Sequence, residues 1–143
     1  MSSPSTTTEL DIPSATGAYR PGACNIGPAE IARRRRAGWI GLGLAVAWAG
    51  LTVLAAADPL VRFAVVVPLA GAFVGFLQAR RRFCAAYGFL GLRNFGPLGA
   101  ADRVVDEEAR RRDRIAALRL VGEAVLLALP PSLVLALLPL GRA

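Results

Sequence analysis

Gly38 to Ala57 is a run of twenty residues without a charged side chain, and Arg33, Arg34, Arg35 and Arg36 stand just before it. At ~1.5 Å per residue, a helix over such a run is about 30 Å long, the thickness of a bilayer's hydrocarbon core. A soluble domain of 143 residues would divide its apolar side chains among short amphipathic stretches instead. Asp58-Pro59 is a turn signal, and Leu60 to Ala79 then returns, ending on Arg80, Arg81 and Arg82. A third block, Ile115 to Leu140, is long enough to span, but Arg119 and Glu123 lie in its first part and Pro130-Pro131 interrupts its centre. The expected fold is an all-α membrane protein: a transmembrane helical hairpin plus a third kinked helix that either spans or re-enters. The spanning form is favoured, because Leu120 to Leu138 holds one acidic residue and no base.

Four regions follow. Residues 1–22, rich in Ser, Thr and Pro, read as a disordered cytoplasmic tail; the basic start and apolar centre of a secretory signal are missing. Residues 23–95 hold the hairpin, with helices over about 38–57 and 60–79. Asn25 or Gly27 can cap the first helix, Pro28 suits its first position, and Glu30 complements its positive end. In the return segment Arg62 can snorkel outward, Pro68 should kink the helix, and Gly71 and Gly75 form a small-xxx-small packing pair. Phe83 to Phe95 mixes aromatic rings and glycines, which fits the headgroup zone. Residues 96–114 read as a charged linker helix with Asp106/Arg110, Glu107/Arg111 and Glu108/Arg112 four apart. Residues 115–143 form the third membrane segment.

The seventeen basic residues are all arginine, and the formal charge is +7. With the N-terminus inside, the clusters Arg33–Arg36, Arg80–Arg82 and Arg110–Arg112, together with Arg93, Arg103 and Arg114, fall on the cytoplasmic side; Arg62 and Arg142 fall outside. The positive-inside rule therefore predicts a multi-pass protein of the cell (inner or plasma) membrane, with the N-terminus cytoplasmic and, if the third segment spans, the C-terminus outside. The basic residues flank apolar spans and do not line a polar face with interleaved aromatics. Anionic lipid headgroups are thus the expected counter-charge, and nucleic acid is not an expected partner. The glycine pair adds a homo-oligomer or another membrane protein as partner.

The chain has no histidine, the commonest general base and metal ligand. No nucleophile with a base, phosphate loop or paired carboxylates can be read, so no catalytic residue, metal or cofactor is expected. Cys84 and Cys24 are the candidate redox or sulfur-carrier thiols, each beside an arginine cluster that favours thiolate. The alternative for each is ordinary: Cys84 as a small hydrophobe at the interface, Cys24 as incidental. Glu123 is an intramembrane ionisable candidate, with Arg119 one turn away as its simplest partner. The leading expectation is a non-enzymatic anchor or accessory subunit of a membrane assembly. The rivals are a thiol-based sulfur carrier or redox protein using Cys84 and Cys24, and an oligomeric small transporter using Glu123.

Two motifs resemble the YgaP-like inner-membrane domain family. That family reads Asn-x-Gly, an acidic residue three further on, an arginine four after that, then a glycine opening the first transmembrane helix. Asn25, Gly27, Glu30, Arg34 and Gly38 fall on those positions. After the second helix it carries Cys-Pro-x-Tyr and a glycine four residues beyond; Cys84, Tyr87 and Gly91 fit, with Ala85 in place of the proline. Ile31 replaces the usual arginine, and the third segment is extra. The resemblance covers about Asn25 to Asn94. It implies a two-helix membrane hairpin that self-associates, in a family some of whose members are fused to rhodanese sulfurtransferase domains.

Overall fold

A computed structural model of the chain describes residues 19–139. The expected tail therefore lies outside the described residues up to residue 18. Helix α1 spans Pro28–Leu54, so the four arginines are helical and continuous with the apolar run. Gly27 is its N-cap, Pro28 holds the first position and Glu30 the first turn; Asn25 is released for another task. The chain reverses through Ala56 (φ 45) and restarts at Asp58-Pro59 as α2, Pro59–Phe63.

Helix α3, Val66–Arg81, continues the return after a break at Ala64–Val65. Pro68 is the cause, four residues upstream of itself. Its nitrogen has no hydrogen for the Ala64 carbonyl, and its ring crowds that oxygen; the Val67 amide donates to Ala64 instead, at 3.2 Å. The expected kink is real but sits before the proline.

A short helix α4, Ala85–Leu90, ends on Gly91 in the left-handed region (φ 66). Strands β1 (Leu92–Arg93) and β2 (Asp102–Arg103) pair antiparallel, with Leu92 opposite Arg103. Thus Phe83 to Phe95 builds a folded cap at the helix ends. Helix α5, Glu107–Leu137, then runs 31 residues without a break, so the end of the charged linker, from Glu107, and the third membrane segment are one helix, while residues 96–106, expected to be helical, form loop and β2. Its N-cap is Asp106, whose carboxylate accepts from the Glu108 and Ala109 amides at 3.2 Å. The expected Asp106–Arg110 pair is replaced by this cap, while Glu108–Arg112 forms at 3.3 Å.

The chain is an all-α membrane protein with three helical stretches long and apolar enough to cross a bilayer: Pro28–Leu54, Pro59–Arg81 and Glu107–Leu137. Helix α3 lies between α1 and α5. Gly38 and Gly41 of α1 meet Gly75 and Ala72 of α3 so closely that a Cβ on Gly75 would stand 2.5 Å from the Gly38 nitrogen. Gly71 meets nothing within 4 Å. The two glycines expected to share one packing face are therefore split: Gly75 closes the hairpin from within, and Gly71 looks outward. On α5 the buried residues Ala109, Asp113, Ala117, Leu120, Ala124, Ala128, Ser132 and Ala136 recur every three or four positions, a stripe of mostly small side chains on a helix that packs against α4, α3 and α2.

Arg62 does not snorkel. It is 5% exposed, and its guanidinium donates to the carbonyls of Leu135 (3.1 Å) and Leu138 (2.8 Å), which end α5. A cation on the last carbonyls of a helix satisfies orphaned acceptors and opposes the helix dipole. It also places the end of α5 beside α2, at the far end of the hairpin from the arginine clusters, so the third segment is arranged to cross.

Candidate functional site at the arginine-rich end

The residues that carry chemistry gather at one end, under the cap. Asn25 is fully buried and holds both main-chain groups of Cys84: its Oδ1 accepts from the Cys84 amide at 2.6 Å, and its Nδ2 donates to the Cys84 carbonyl at 3.0 Å. An asparagine side chain here imitates a peptide, joining the segment before α1 to the N-cap of α4. The neighbouring backbone follows. The Gly27 amide donates to the Asn94 carbonyl at 2.7 Å and the Asn94 amide to the Asn25 carbonyl at 2.9 Å. A Cβ on Gly27 would lie 2.9 Å from Phe95 backbone atoms, so this approach requires glycine.

Glu30 is buried at the centre. Its Oε1 accepts from the Tyr87 hydroxyl (2.9 Å) and from Asn94 Nδ2 (3.3 Å); Arg34 approaches Oε2 at 3.5 Å and Arg33 approaches Oε1 at 3.8 Å. A buried carboxylate is costly unless paired and hydrogen-bonded; here both oxygens face an arginine, but only Oε1 accepts hydrogen bonds. Arg34 also stands 5.8 Å from the Tyr87 ring centre. Burial, and then donation to Glu30, raise the Tyr87 hydroxyl above its ordinary pKa. The two stretches Asn25–Gly38 and Cys84–Gly91 are thereby joined through Asn25–Cys84 and Glu30–Tyr87, with Gly38 packed against Phe76 nearby.

A second polar group was not foreseen. Asp113 of α5 is fully buried and accepts from the Tyr19 hydroxyl at 2.7 Å and the Gly22 amide at 2.6 Å. The Arg93 guanidinium covers the Tyr19 ring at 5.3 Å. Residues 19–22, expected within the tail, are thus strapped onto α5. The available signal was weak: Asp113 lies four residues from both Ala109 and Ala117, on the small-residue stripe. Burial and the bond to Asp113 raise the Tyr19 pKa well above its usual value. A tyrosine raised on folding stabilises the folded state below the unfolded pKa of about 10, and that contribution is lost as pH climbs toward the folded value. The chain has two tyrosines, both of them shifted upward. Tyrosinate absorbance should therefore appear only above the ordinary range, later for the native protein than for the unfolded chain. Coincident curves for the two states would refute both bonds.

The cysteines are both free and buried, and they differ. Cys84 is 0% exposed; Cys24, at 8%, lines a cleft of about 530 Å³ with Arg35, Arg80 and Arg82. Glu123 pairs with Arg81 of α3 at 2.6 Å, correcting Arg119 as its expected partner. Arginine preceding glutamate at i,i+4 is the weaker order on a helix, and Arg81 arrives from the neighbouring helix end. Among the described residues no cluster of metal-ligating side chains occurs.

These features define a small, three-helix membrane protein with an ordered cap at its arginine-rich end. Comparison of the chain with protein-family models, with curated proteins and with solved structures found no match.

Proposed function

We propose that this protein is a non-enzymatic anchor or accessory subunit of a membrane assembly, with its cap on the cytoplasmic side of the cell membrane. The carrying observation is how the cap divides its side chains. Polar groups turn inward and hold main chain or one another, as Asn25, Glu30, Asn94 and Asp113 do. Phe89, Leu90, Leu98 and Val105, all outside the three long helices, are exposed. An apolar surface over a cap whose polar side chains mostly bond inward suits docking better than turnover. The arginine clusters at this end support the cytoplasmic placement and contact with anionic headgroups. The YgaP-like hairpin is part of the same reading, supported by the way its motif residues bridge α1 and α4. Self-association would use the open side of α3 at Gly71. A photo-crosslinking residue at Val105 or Leu98 should give one discrete protein adduct in cells. Lipid adducts alone at both positions would reject docking by this surface.

The cleft beside Cys24 favours a second reading, a thiol carrier. It reassigns the reactive role from Cys84, whose burial denies reagents access, to Cys24, which borders three arginines. In mild detergent Cys84→Ser should keep nearly all alkylation, and Cys24→Ser should lose it. Faster modification of Cys84 would reverse the assignment; inertness of both would remove the thiol reading.

A further inference from the structure

A cleft of about 650 Å³ opens between α5, the end of α3 and the strap at residues 21–23. Its floor is apolar, with Phe83, Ile115 and Leu120, and three guanidinium groups border it: Arg81, Arg112 and Arg119. Two of the three have a carboxylate, Arg81 with Glu123 at 2.6 Å and Arg112 with Glu108 at 3.3 Å. Among the described residues Arg119 forms no ion pair or hydrogen bond. The cleft therefore carries about one uncompensated positive charge above an apolar floor.

Its place along α5 is set by its neighbours. Glu123, one turn further along α5, is bonded to Arg81 where α3 ends, and the apolar part of α5 continues from there. With the apolar part of α5 inserted in a bilayer, Arg119 comes to the boundary where phospholipid phosphates lie, with Arg112 two turns farther out. From Arg119 to Arg112 is seven residues, about 10 Å of helix, enough for one headgroup. We propose that this cleft is a specific site for one anionic phospholipid, whose phosphate sits against Arg119 and Arg112 while its glycerol and first acyl carbons cover Phe83, Ile115 and Leu120. A monoanionic phosphodiester matches the charge, and the apolar floor selects an amphiphile over a free anion. The inference deepens the headgroup contact of the reading above; it needs membrane insertion but neither the docking partner nor the thiol.

Native mass spectrometry of the full chain, released from detergent containing phosphatidylglycerol or phosphatidylcholine, tests it. The expected result is one retained phosphatidylglycerol, with phosphatidylcholine at background. Arg119→Gln should lower retention about fivefold, the effect of one cation near a headgroup; Arg36→Gln, an exposed arginine outside the cleft, should leave it unchanged. If Arg119→Gln fails to fold, judged by its melting curve, Arg112→Gln carries the same expectation on an exposed side chain. Equal losses for the cleft variant and Arg36→Gln would mean diffuse attraction and overturn the site. Equal retention of the two lipids would overturn its charge selectivity, and displacement by inorganic phosphate at matching concentration would assign the cleft to a soluble anion. A failed crosslink at Val105 would leave these readings untouched, so the two proposals fall separately.

Discussion

Gly75→Leu should unfasten the hairpin, while Gly71→Leu, one turn away on the same helix, should be nearly silent. A single Cβ at Gly75 would stand 2.5 Å from the Gly38 nitrogen, 2.7 Å from its Cα and 2.9 Å from the Arg34 carbonyl, all backbone atoms of a regular helix that cannot swing aside. Overpacking by a methylene costs roughly 1–3 kcal/mol in a core that can shift, and a leucine between two helix backbones belongs at or beyond the top of that range. The expected consequence is a fall in Tm on the order of 10 °C in mild detergent, read from helical circular dichroism. At Gly71 a side chain meets open space, so any effect there should be on oligomer mass and not on melting. Equal losses at both positions would mean that the α1–α3 seam is not where the structure puts it.

Asn25→Ala should be the most damaging polar substitution in the cap. It strands the buried amide of Cys84 and takes one of two donors from the Cys84 carbonyl, which keeps the Gly88 amide at 2.9 Å. The orphaned amide costs about 1–3 kcal/mol, and the lost second bond and the vacated volume add to it. Asn25→Asp keeps the acceptor for the Cys84 amide but turns the donor into a second oxygen facing the Cys84 carbonyl, so it should fall between alanine and the native residue. Denaturant unfolding of the three proteins gives the order directly. An alanine variant as stable as the native chain would remove Asn25 from the architecture.

The membrane spans were legible because their signal is local. Twenty uncharged residues after four arginines specify a spanning helix without reference to the rest of the chain, and Asp58-Pro59 marks the reversal. The start of α1 was legible for the same reason, down to Pro28 and Glu30. The cap was not, because its bonds join distant points: Asn25 to Cys84 across 59 residues, Tyr19 to Asp113 across 94. Spacing rules fail there even where they find the right residues. Asp106 sits four before Arg110 yet is taken by backbone amides, since the first turn of α5 has unpaired donors that compete more strongly than a solvated guanidinium. Glu123 had a charged neighbour in sequence and a better one in space. The motif positions Asn25, Glu30, Cys84 and Tyr87 were readable as a set, but that they act by clamping main chain and burying a carboxylate required the structure.

Arg62 has a further consequence, for the lipid and not for the protein. The Glu123–Arg81 pair and the Arg62–Leu138 bond are separated by 15 residues of α5 (138 − 123), about 22 Å of helix. An ordinary hydrocarbon core is about 30 Å deep. Arg62 cannot stretch to make up the difference, because its guanidinium is already committed to two carbonyls inside the protein. Tilting α5 only shortens the span along the membrane normal. Nor need headgroups come to Arg62: with its guanidinium bonded to two carbonyls inside the protein, it is equipped to lie within the hydrocarbon layer, and of these charges only the half-exposed Glu123–Arg81 pair calls for headgroups or water.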